Sequence, residues 1–322
     1  MAKRALIVGI DAYDHCEPLN AAVSDATEMA KVLRRNGDKS LNFDCRLLTS
    51  PGAEPVTKDS LRSKWNELFD DFRGDVLFYF SGHGSPTEVG GYLATQEATD
   101  DEPGLPMQEL VDMANRSSAE TVLIILDCCF SGWAGNSASA ATGSLENKAI
   151  LREGVTILTA SRPGQLAYEI GGHGVFTNLI LGALRGGAAN VRGHISAAAI
   201  YAYAEAALGA WDQRPLYKSH AGHLGPVRTV APLITDALLR EIPTYFTNSD
   251  DAFPLDMTYE ETNGAAKPEN VIIFKKFKQL QIAGLLRPRL GPDLYWTAER
   301  SGSVVLTDLG QFYHQLASRE CI

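Results

Sequence analysis

The sequence predicts an α/β fold with a mainly parallel central sheet, followed by a small α+β domain at the C-terminus. Three features support this class: apolar runs rich in β-branched residues, segments of helical periodicity between them, and an acidic, turn-rich stretch over 243–268. Strands that are apolar throughout and alternate with helices are typical of a parallel sheet covered on both faces. We expect one domain over 1–230, and a linker with a small domain over 231–322.

The strands of the first domain are predicted from short apolar runs that end at polar or small residues. They are 4–10, 43–48, 75–80, 121–127 and 155–159. Residues 133–148 follow the fourth run and are rich in Ala, Ser, Gly and Asn without apolar periodicity, which predicts a loop. The stretch 243–268 is predicted to be a linker or irregular arm.

The helices of the first domain lie between these strands. Residues 20–36 carry apolar side chains at helical spacing and end before Gly37, and residues 58–72 have the same spacing. Further helices are predicted over 107–115, 175–184 and 196–208. Each of these segments has an apolar face that a sheet can cover.

The C-terminal segment predicts a helix over 269–284, a hairpin of 294–298 with 303–306, and a final helix over 307–316. The order helix, hairpin, helix resembles a fragment of a winged-helix domain. That likeness is one of fold only, so it does not by itself predict DNA binding.

The charge of the C-terminal segment argues against a DNA-reading surface. Residues 231–322 contain 9 Lys and Arg against 12 Asp and Glu, whereas a DNA-reading face is usually basic. We interpret the lysines at 275, 276 and 278 and the arginines at 287 and 289 as solvated positions. We expect this domain to bind an activating or inhibitory protein partner.

The composition of the whole chain narrows the functional classes further. Its 322 residues carry a net charge of −10, which argues against a general nucleic-acid or membrane-surface binder. Five cysteines without C-x-x-C spacing predict neither a disulfide framework nor a zinc site, so we expect a cytoplasmic protein. The N-terminal apolar run, 5–10, is too short for a signal sequence or a membrane span.

Two predicted strands each end at a reactive side chain. His83 follows the strand 75–80, and Cys129 follows the strand 121–127. The carboxyl ends of parallel strands meet at one edge of a sheet, and a thiol becomes a good nucleophile when an imidazole removes its proton. The pattern predicts a cysteine peptidase with His83 as general base. Cys128 competes as nucleophile, although strand alternation points it away from the cleft.

The motifs Ser81-Gly82-His83-Gly84 and Asp127-Cys128-Cys129-Phe130-Ser131-Gly132 resemble those of the caspase superfamily, the clan CD cysteine peptidases. They are closest to metacaspases and bacterial caspase-like proteins, and supporting matches extend to about residue 230. The resemblance implies the caspase-hemoglobinase sandwich fold. It also implies that Cys129, two residues after Asp127, is the nucleophile, and that the backbone N–H groups of Gly84 and Cys129 form the oxyanion hole.

The resemblance also implies cleavage after a basic residue, with Arg preferred over Lys. The arginine of the Gln-Ala-Cys-Arg-Gly motif, found in caspases that cut after Asp, is missing here. Asp25 matches the acidic position of metacaspases, and two carboxylates, Asp25 and Asp127, suit a bidentate guanidinium. The alternative for Asp25 is a carboxylate that interacts with the dipole at the start of a helix.

The remaining expectations concern processing, metals and biological role. Related peptidases are often cut after the nucleophile, which predicts self-cleavage after Lys148 or Arg152. Some metacaspases need calcium, but the acidic run 100–102 lacks alternating ligand spacing, so no metal or cofactor is expected.

The resemblance implies protein substrates and a role in regulated proteolysis, cell death or antiviral defence. The alternative function is a DNA-binding or scaffold regulator that acts through the C-terminal domain on a caspase-like interaction domain. No binding to nucleic acid or membranes is expected.

Overall fold

The computed structural model describes residues 2–87, 90–128, 151–160, 169–170, 173–208, 215–220 and 225–322. The chain divides into two compact units. The first comprises Met1–Ala189 and His194–Val230, and the second comprises Asn190–Gly193 and Ala231–Ile322. Across the described ranges, no helix combines the length and the apolarity that crossing a lipid bilayer requires.

The first unit contains the strands of the central sheet and several short strands beside it. In chain order they are β1 Lys3–Ile10, β2 Asp44–Ser50, β3 Asp75–Ser81, β4 Gly84–Thr87, β5 Gly90–Leu93, β6 Leu105–Pro106, β7 Thr121–Asp127, β8 Val155–Thr159, β9 Glu169–Ile170, β10 His173–Gly174, β11 His194–Ile195, β12 Leu216–His220 and β13 Arg228–Thr229. The two runs predicted over 121–127 and 155–159 form strands with the same bounds.

The central sheet has six strands in the order β12-β8-β7-β3-β1-β2. All neighbours are parallel except β12, which pairs antiparallel with β8. The predicted mainly parallel sheet is therefore confirmed. From β1 the chain adds β2 on one side and then β3 on the other. This reversal creates the switch point at which open α/β sheets bind ligands, beyond the carboxyl ends of the strands.

Helices cover both faces of the sheet in the first unit. They are α1 Ala22–Leu33, α2 Lys58–Phe69, α3 Met107–Arg116, α4 Val175–Gly182 and α5 Ala197–Leu208. One apolar cluster joins the sheet to α2 and α3, and includes Trp65, Phe78 and Phe80. The opposite face packs on α1, α4 and α5. Successive residues of β3 and β7 alternate between the two clusters, as the pleat of a strand requires.

The second unit contains four α-helices, a short 3-10 helix over Met257–Tyr259 and a small sheet. The helices are α6 Asp236–Tyr245, α7 Pro268–Ile282, α8 Leu294–Glu299 and α9 Asp308–Ser318, and the strands are β14 Ala252–Pro254, β15 Leu286–Pro288 and β16 Ser303–Leu306. The strands pair antiparallel in the order β14-β16-β15. The lysines at 275, 276 and 278 form ion pairs with Glu261, Glu241 and Glu260, respectively. Their positive charges are thereby neutralised within the unit.

The hairpin predicted for 294–298 and 303–306 is wrong. Leu294–Glu299 is the helix α8, and β16 pairs with β14 and β15 instead. Asp293 caps the helix, because its side chain accepts a hydrogen bond from the Trp296 N–H at 2.9 Å. Leu294 and Ala298 then face the core on one side of the helix, at i,i+4 spacing. The helix, hairpin, helix order behind the winged-helix analogy is therefore absent.

The stretch 243–268 is more ordered than the predicted linker or irregular arm. Its first residues complete α6, and β14 lies in its middle. Phe253 of β14 packs edge-on against Phe277, with ring centroids 4.9 Å apart. Leu255 is also buried. These two apolar side chains thus hold the segment in place. Its acidic and turn-forming composition hid them in the sequence.

Candidate active site

The carboxyl ends of β1, β3 and β7 lie level at the switch point of the central sheet. Gly9 pairs with Ser81, and Ser81 pairs with Asp127, in the register of these parallel strands. The Gly82 N–H also reaches the Asp127 carbonyl oxygen at 3.4 Å, just beyond the paired residues. The strands that lead into the His motif and toward Cys129 therefore end side by side at one edge of the sheet.

His83 lies two residues after the end of β3, and its imidazole contacts the loop that follows β1. Its Nε2 atom lies 2.7 Å from the carbonyl oxygen of Glu17. Because a carbonyl oxygen only accepts hydrogen bonds, Nε2 carries the hydrogen in this contact. In the neutral ring Nδ1 is then the basic nitrogen. This tautomer leaves one ring nitrogen available to take a proton from a thiol.

Tyr13 supports His83 in two ways. The His83 backbone N–H donates to the Tyr13 hydroxyl oxygen at 2.7 Å, and the two rings lie 4.8 Å apart. Burial raises the pKa of the Tyr13 hydroxyl, and the charges of Cys128, Cys16 and Asp11 act in the same direction. The phenol therefore stays protonated. A Cβ atom at Gly82 would lie only 2.7 Å from the hydroxyl, so a larger residue there would displace the Tyr13 ring from His83.

Of the two adjacent cysteines, Cys128 lies within the described residues. Cys128 is 1 % exposed and belongs to the apolar cluster on the α2 and α3 side of the sheet. Its side chain is therefore buried in the core, and the expectation that it points away from the cleft stays a prediction. Cys129, the predicted nucleophile, lies outside the described residues, as does its N–H group. Gly84, the other predicted oxyanion donor, begins β4 directly after His83.

Asp25 and Asp127 come together at the N-terminus of α4. Asp25 is fully buried, and its Oδ2 atom accepts a hydrogen bond from the Gly174 N–H at 2.9 Å. Asp127 Oδ2 accepts from the Thr177 N–H at 3.2 Å and from the Thr177 hydroxyl at 2.5 Å. A methyl group on Gly174 would lie 2.5 Å from Asp127 Oδ2 and 3.1 Å from Asp25 Oδ2. Both carboxylates therefore face the same small space.

A third carboxylate holds α1 in place. No side chain of the N-cap residue Ala21 caps this helix. Instead Asp11, just after β1, accepts hydrogen bonds from the Ala22 N–H at 2.8 Å and the Val23 N–H at 3.2 Å. A carboxylate at this position satisfies free backbone donors and complements the helix dipole. Asp11 thereby fixes the first turn of α1, which carries Asp25.

The two predicted self-cleavage residues differ in what the structure describes. Lys148 lies outside the described residues. The Arg152 guanidinium donates to the carbonyl oxygens of Ala114 and Ala119 and to the Ser117 hydroxyl, at 3.1, 2.7 and 3.1 Å. Burial lowers its pKa. An arginine anchored in this way cannot enter a cleft without breaking these bonds.

The described residues show no cluster of three or more His, Cys, Asp or Glu side chains suited to a metal ion. In the acidic run 100–102, the Glu102 N–H donates to the Thr99 hydroxyl and the Thr99 N–H to the Glu102 carbonyl. The loop thus closes on its own backbone. No step of the chemistry is assigned to a metal.

Comparison with known proteins identifies the family. A family model described as a caspase domain matches residues 2–221, so the chain belongs to the caspase-domain family of cysteine peptidases. A protein of Geobacter sulfurreducens of known crystal structure is 17 % identical over 71 % of this chain and 100 % of its own, with a TM-score of 0.53. Caspase-1 from Spodoptera frugiperda is 13 % identical, over 71 % and 91 %, with a TM-score of 0.49. No curated protein matches the sequence.

Several residues of the site have no local sequence pattern that marks them as functional. Tyr13 is a single aromatic residue in a loop, where no periodicity marks it. Asp11 caps a helix that begins eleven residues later, outside the usual local capping pattern. Thr177 falls in a matched family segment, but its hydroxyl contact to Asp127 depends on how α4 packs on the sheet. Only the folded chain brings these groups together.

Proposed function

We propose that this protein is an endopeptidase that cleaves after basic residues, with Arg preferred over Lys, through a Cys129–His83 dyad. The single observation that carries the proposal is that β3 and β7, the strands that precede His83 and Cys129, end side by side at one edge of the sheet. The contact of His83 Nε2 with the Glu17 carbonyl supports a base role for Nδ1.

The reaction would be an acyl transfer. The Cys129 thiol gives its proton to His83, and the thiolate attacks the carbonyl carbon after the basic residue. The N–H groups of Gly84 and Cys129 stabilise the oxyanion, and His83 returns the proton to the leaving amine. Water then hydrolyses the thioester and regenerates the thiol. Every step uses groups of the protein, so we propose that the reaction needs no metal ion or cofactor.

The preference for a basic residue rests on Asp25 and Asp127. Both carboxylates face the space beside Gly174, and a guanidinium can bridge two carboxylates through its paired N–H groups. An ammonium group offers only a point charge there, which favours Arg over Lys. An aspartyl side chain would be repelled by the two acids.

The proposal is tested with fluorogenic peptides that differ only in the residue before the scissile bond: Arg, Lys, citrulline or Asp. Citrulline matches arginine in size but lacks the charge. We expect rates in the order Arg, Lys, then citrulline, with no cleavage after Asp. Cys129→Ala should be inactive and Cys128→Ala should retain most activity. Faster cleavage after Asp than after Arg, or full activity in Cys129→Ala, would overturn the proposal.

The biological role and the second unit complete the proposal. We propose an effector in regulated proteolysis, cell death or antiviral defence, with the second unit as the site of an activating or inhibitory protein partner. The free thiols of Cys16, Cys45 and Cys321 support a reducing cytoplasm. Because Arg152 is anchored, self-processing is assigned to Lys148. Mass spectrometry of Lys148→Ala beside wild type tests this assignment, and a wild-type cut after Arg152 would refute it.

A further inference from the structure

Asp127 is the end of a buried chain of hydrogen bonds that reaches back into the sheet. The Tyr79 hydroxyl of β3 lies 2.6 Å from the Thr177 hydroxyl of α4, and that hydroxyl lies 2.5 Å from Asp127 Oδ2. The Thr177 N–H contacts the same oxygen at 3.2 Å. Tyr79 and Thr177 are fully buried.

When Asp127 is ionised, the direction of the protons in this chain is fixed. A carboxylate only accepts, so Thr177 donates its single hydroxyl hydrogen to Asp127. The Thr177 oxygen must then accept, and Tyr79 donates to it. Burial raises the pKa of Tyr79 well above its usual value, with the charges of Asp127 and Asp25 adding to the rise. The phenol therefore keeps its hydrogen and supplies it to the chain.

The sequence offers an internal comparison for Tyr79. The neighbours on β3, Phe78 and Phe80, pack with their rings in the opposite apolar cluster. Tyr79 fills the α1 and α4 side, where a phenylalanine would serve packing equally well. A buried hydroxyl is costly unless it is hydrogen-bonded, so its presence at this one position points to a role for the bond itself.

We propose that Tyr79 and Thr177 are positioning residues that orient the Asp127 carboxylate and thereby set the preference for Arg over Lys; the inference rests on the function proposed above. Two donors from Thr177 converge on one carboxylate oxygen and fix the plane of the group. A planar, forked guanidinium gains from a carboxylate of fixed plane. An ammonium group has three rotatable donors and adapts to a tilted carboxylate, so it gains less.

The experiment compares kcat/KM for the Arg and Lys peptides in wild type, Tyr79→Phe and Thr177→Val. Thr177→Val keeps the backbone N–H to Asp127, and Thr177→Ser keeps the hydroxyl as well. Tyr201→Phe on α5 is the matched control for loss of a tyrosine hydroxyl. We expect the Arg to Lys ratio to fall about tenfold in Tyr79→Phe and further in Thr177→Val, with Thr177→Ser and Tyr201→Phe near wild type.

The double variant Tyr79→Phe with Thr177→Val adds a second test. If the hydrogen bonds act as one chain, Tyr79→Phe should add little once the Thr177 hydroxyl is gone. Thermal unfolding of each variant shows whether it folds, and Thr177→Val carries the test if Tyr79→Phe does not. Equal losses on both peptides, or an unchanged ratio, would overturn the inference alone. A wild-type enzyme that cuts neither peptide would overturn the proposed function and this inference with it.

Discussion

Replacing Asp25 by asparagine separates the two roles that its position allows. The carboxylate caps the N-terminus of α4 through Gly174, and in the proposed function it also binds the substrate cation. An asparagine oxygen can still accept the Gly174 N–H, but the side chain carries no charge. The hydrogen bond changes from charged to neutral, which is worth about 1 kcal/mol of stability.

The effect on activity should be larger than the effect on stability. Removing one partner of a desolvated charge pair costs about 2–5 kcal/mol. At the lower end, about 2–3 kcal/mol, kcat/KM for the Arg peptide should fall roughly 30- to 150-fold, since 1.4 kcal/mol is tenfold. The citrulline peptide has no charge to pair, so its rate should change little. Asp25→Ala should lose both the substrate charge pair and the helix contact.

The assay measures kcat/KM for the Arg and citrulline peptides in both variants, together with urea unfolding. The account predicts that the Arg to citrulline ratio collapses in Asp25→Asn while the free energy of unfolding falls by only about 1 kcal/mol. An unchanged ratio in a folded Asp25→Asn protein would show that Asp25 serves only the helix. The assignment of Asp25 to the substrate pocket would then be wrong, even if the protein is an active peptidase.

Three further predictions concern Tyr13, Lys218 and Asp293. Tyr13→Phe should lower kcat about tenfold with little change in KM, because the His83 N–H loses its acceptor while the ring packing remains; an unchanged kcat would refute this role. Burial lowers the pKa of Lys218 to about 8, so the unfolded chain binds more protons and wild-type stability should rise from pH 8 toward 10.5. Lys218→Met should abolish that rise and stabilise the protein by about 1–2 kcal/mol at pH 7, a figure lowered because the side chain is partly exposed. If urea unfolding shows the same change in stability between pH 7 and pH 10 for wild type and variant, the prediction is wrong. Asp293→Ala should destabilise the protein by about 1 kcal/mol through loss of the α8 cap, whereas Asp293→Asn should be neutral, and equal unfolding midpoints for Asp293→Ala and wild type would refute the cap.

The central sheet could be predicted because its strands are apolar on both faces. The runs over 121–127 and 155–159 stand out against polar neighbours, and the structure gives them the same bounds. β12 escaped prediction because this edge strand is only partly buried and contains Lys218 and Ser219. Its position depends on pairing with β8, which no local pattern reveals.

The error at α8 has a different cause. Leu294, Tyr295 and Trp296 are apolar or aromatic residues of a kind common in strands. The cap by Asp293 and the burial of Leu294 and Ala298 on one side decide for a helix. In a segment this short, local propensity carries little free energy, so the tertiary packing determined the structure.

The same distinction between local pattern and tertiary contact applies to the residues of the candidate site. His83 and Asp127 could be placed from the sequence because each follows an apolar strand that marks where the side chain emerges. Tyr13 and Thr177 could not, since each acts through a contact with a residue distant in sequence. Hydrogen bonds across 70 and 50 residues leave no periodic trace in a single sequence.

The measurement that tests the central claim most directly is covalent capture of the nucleophile. A peptidyl chloromethyl ketone ending in arginine is incubated with the protein, the adduct is located by mass spectrometry of the digested chain, and an aspartyl analogue serves as control. The account predicts one adduct per chain, on the Cys129 sulfur, formed far faster with the arginyl reagent and lost in Cys129→Ala. An adduct on Cys128, or equal labelling by the aspartyl reagent, would contradict it.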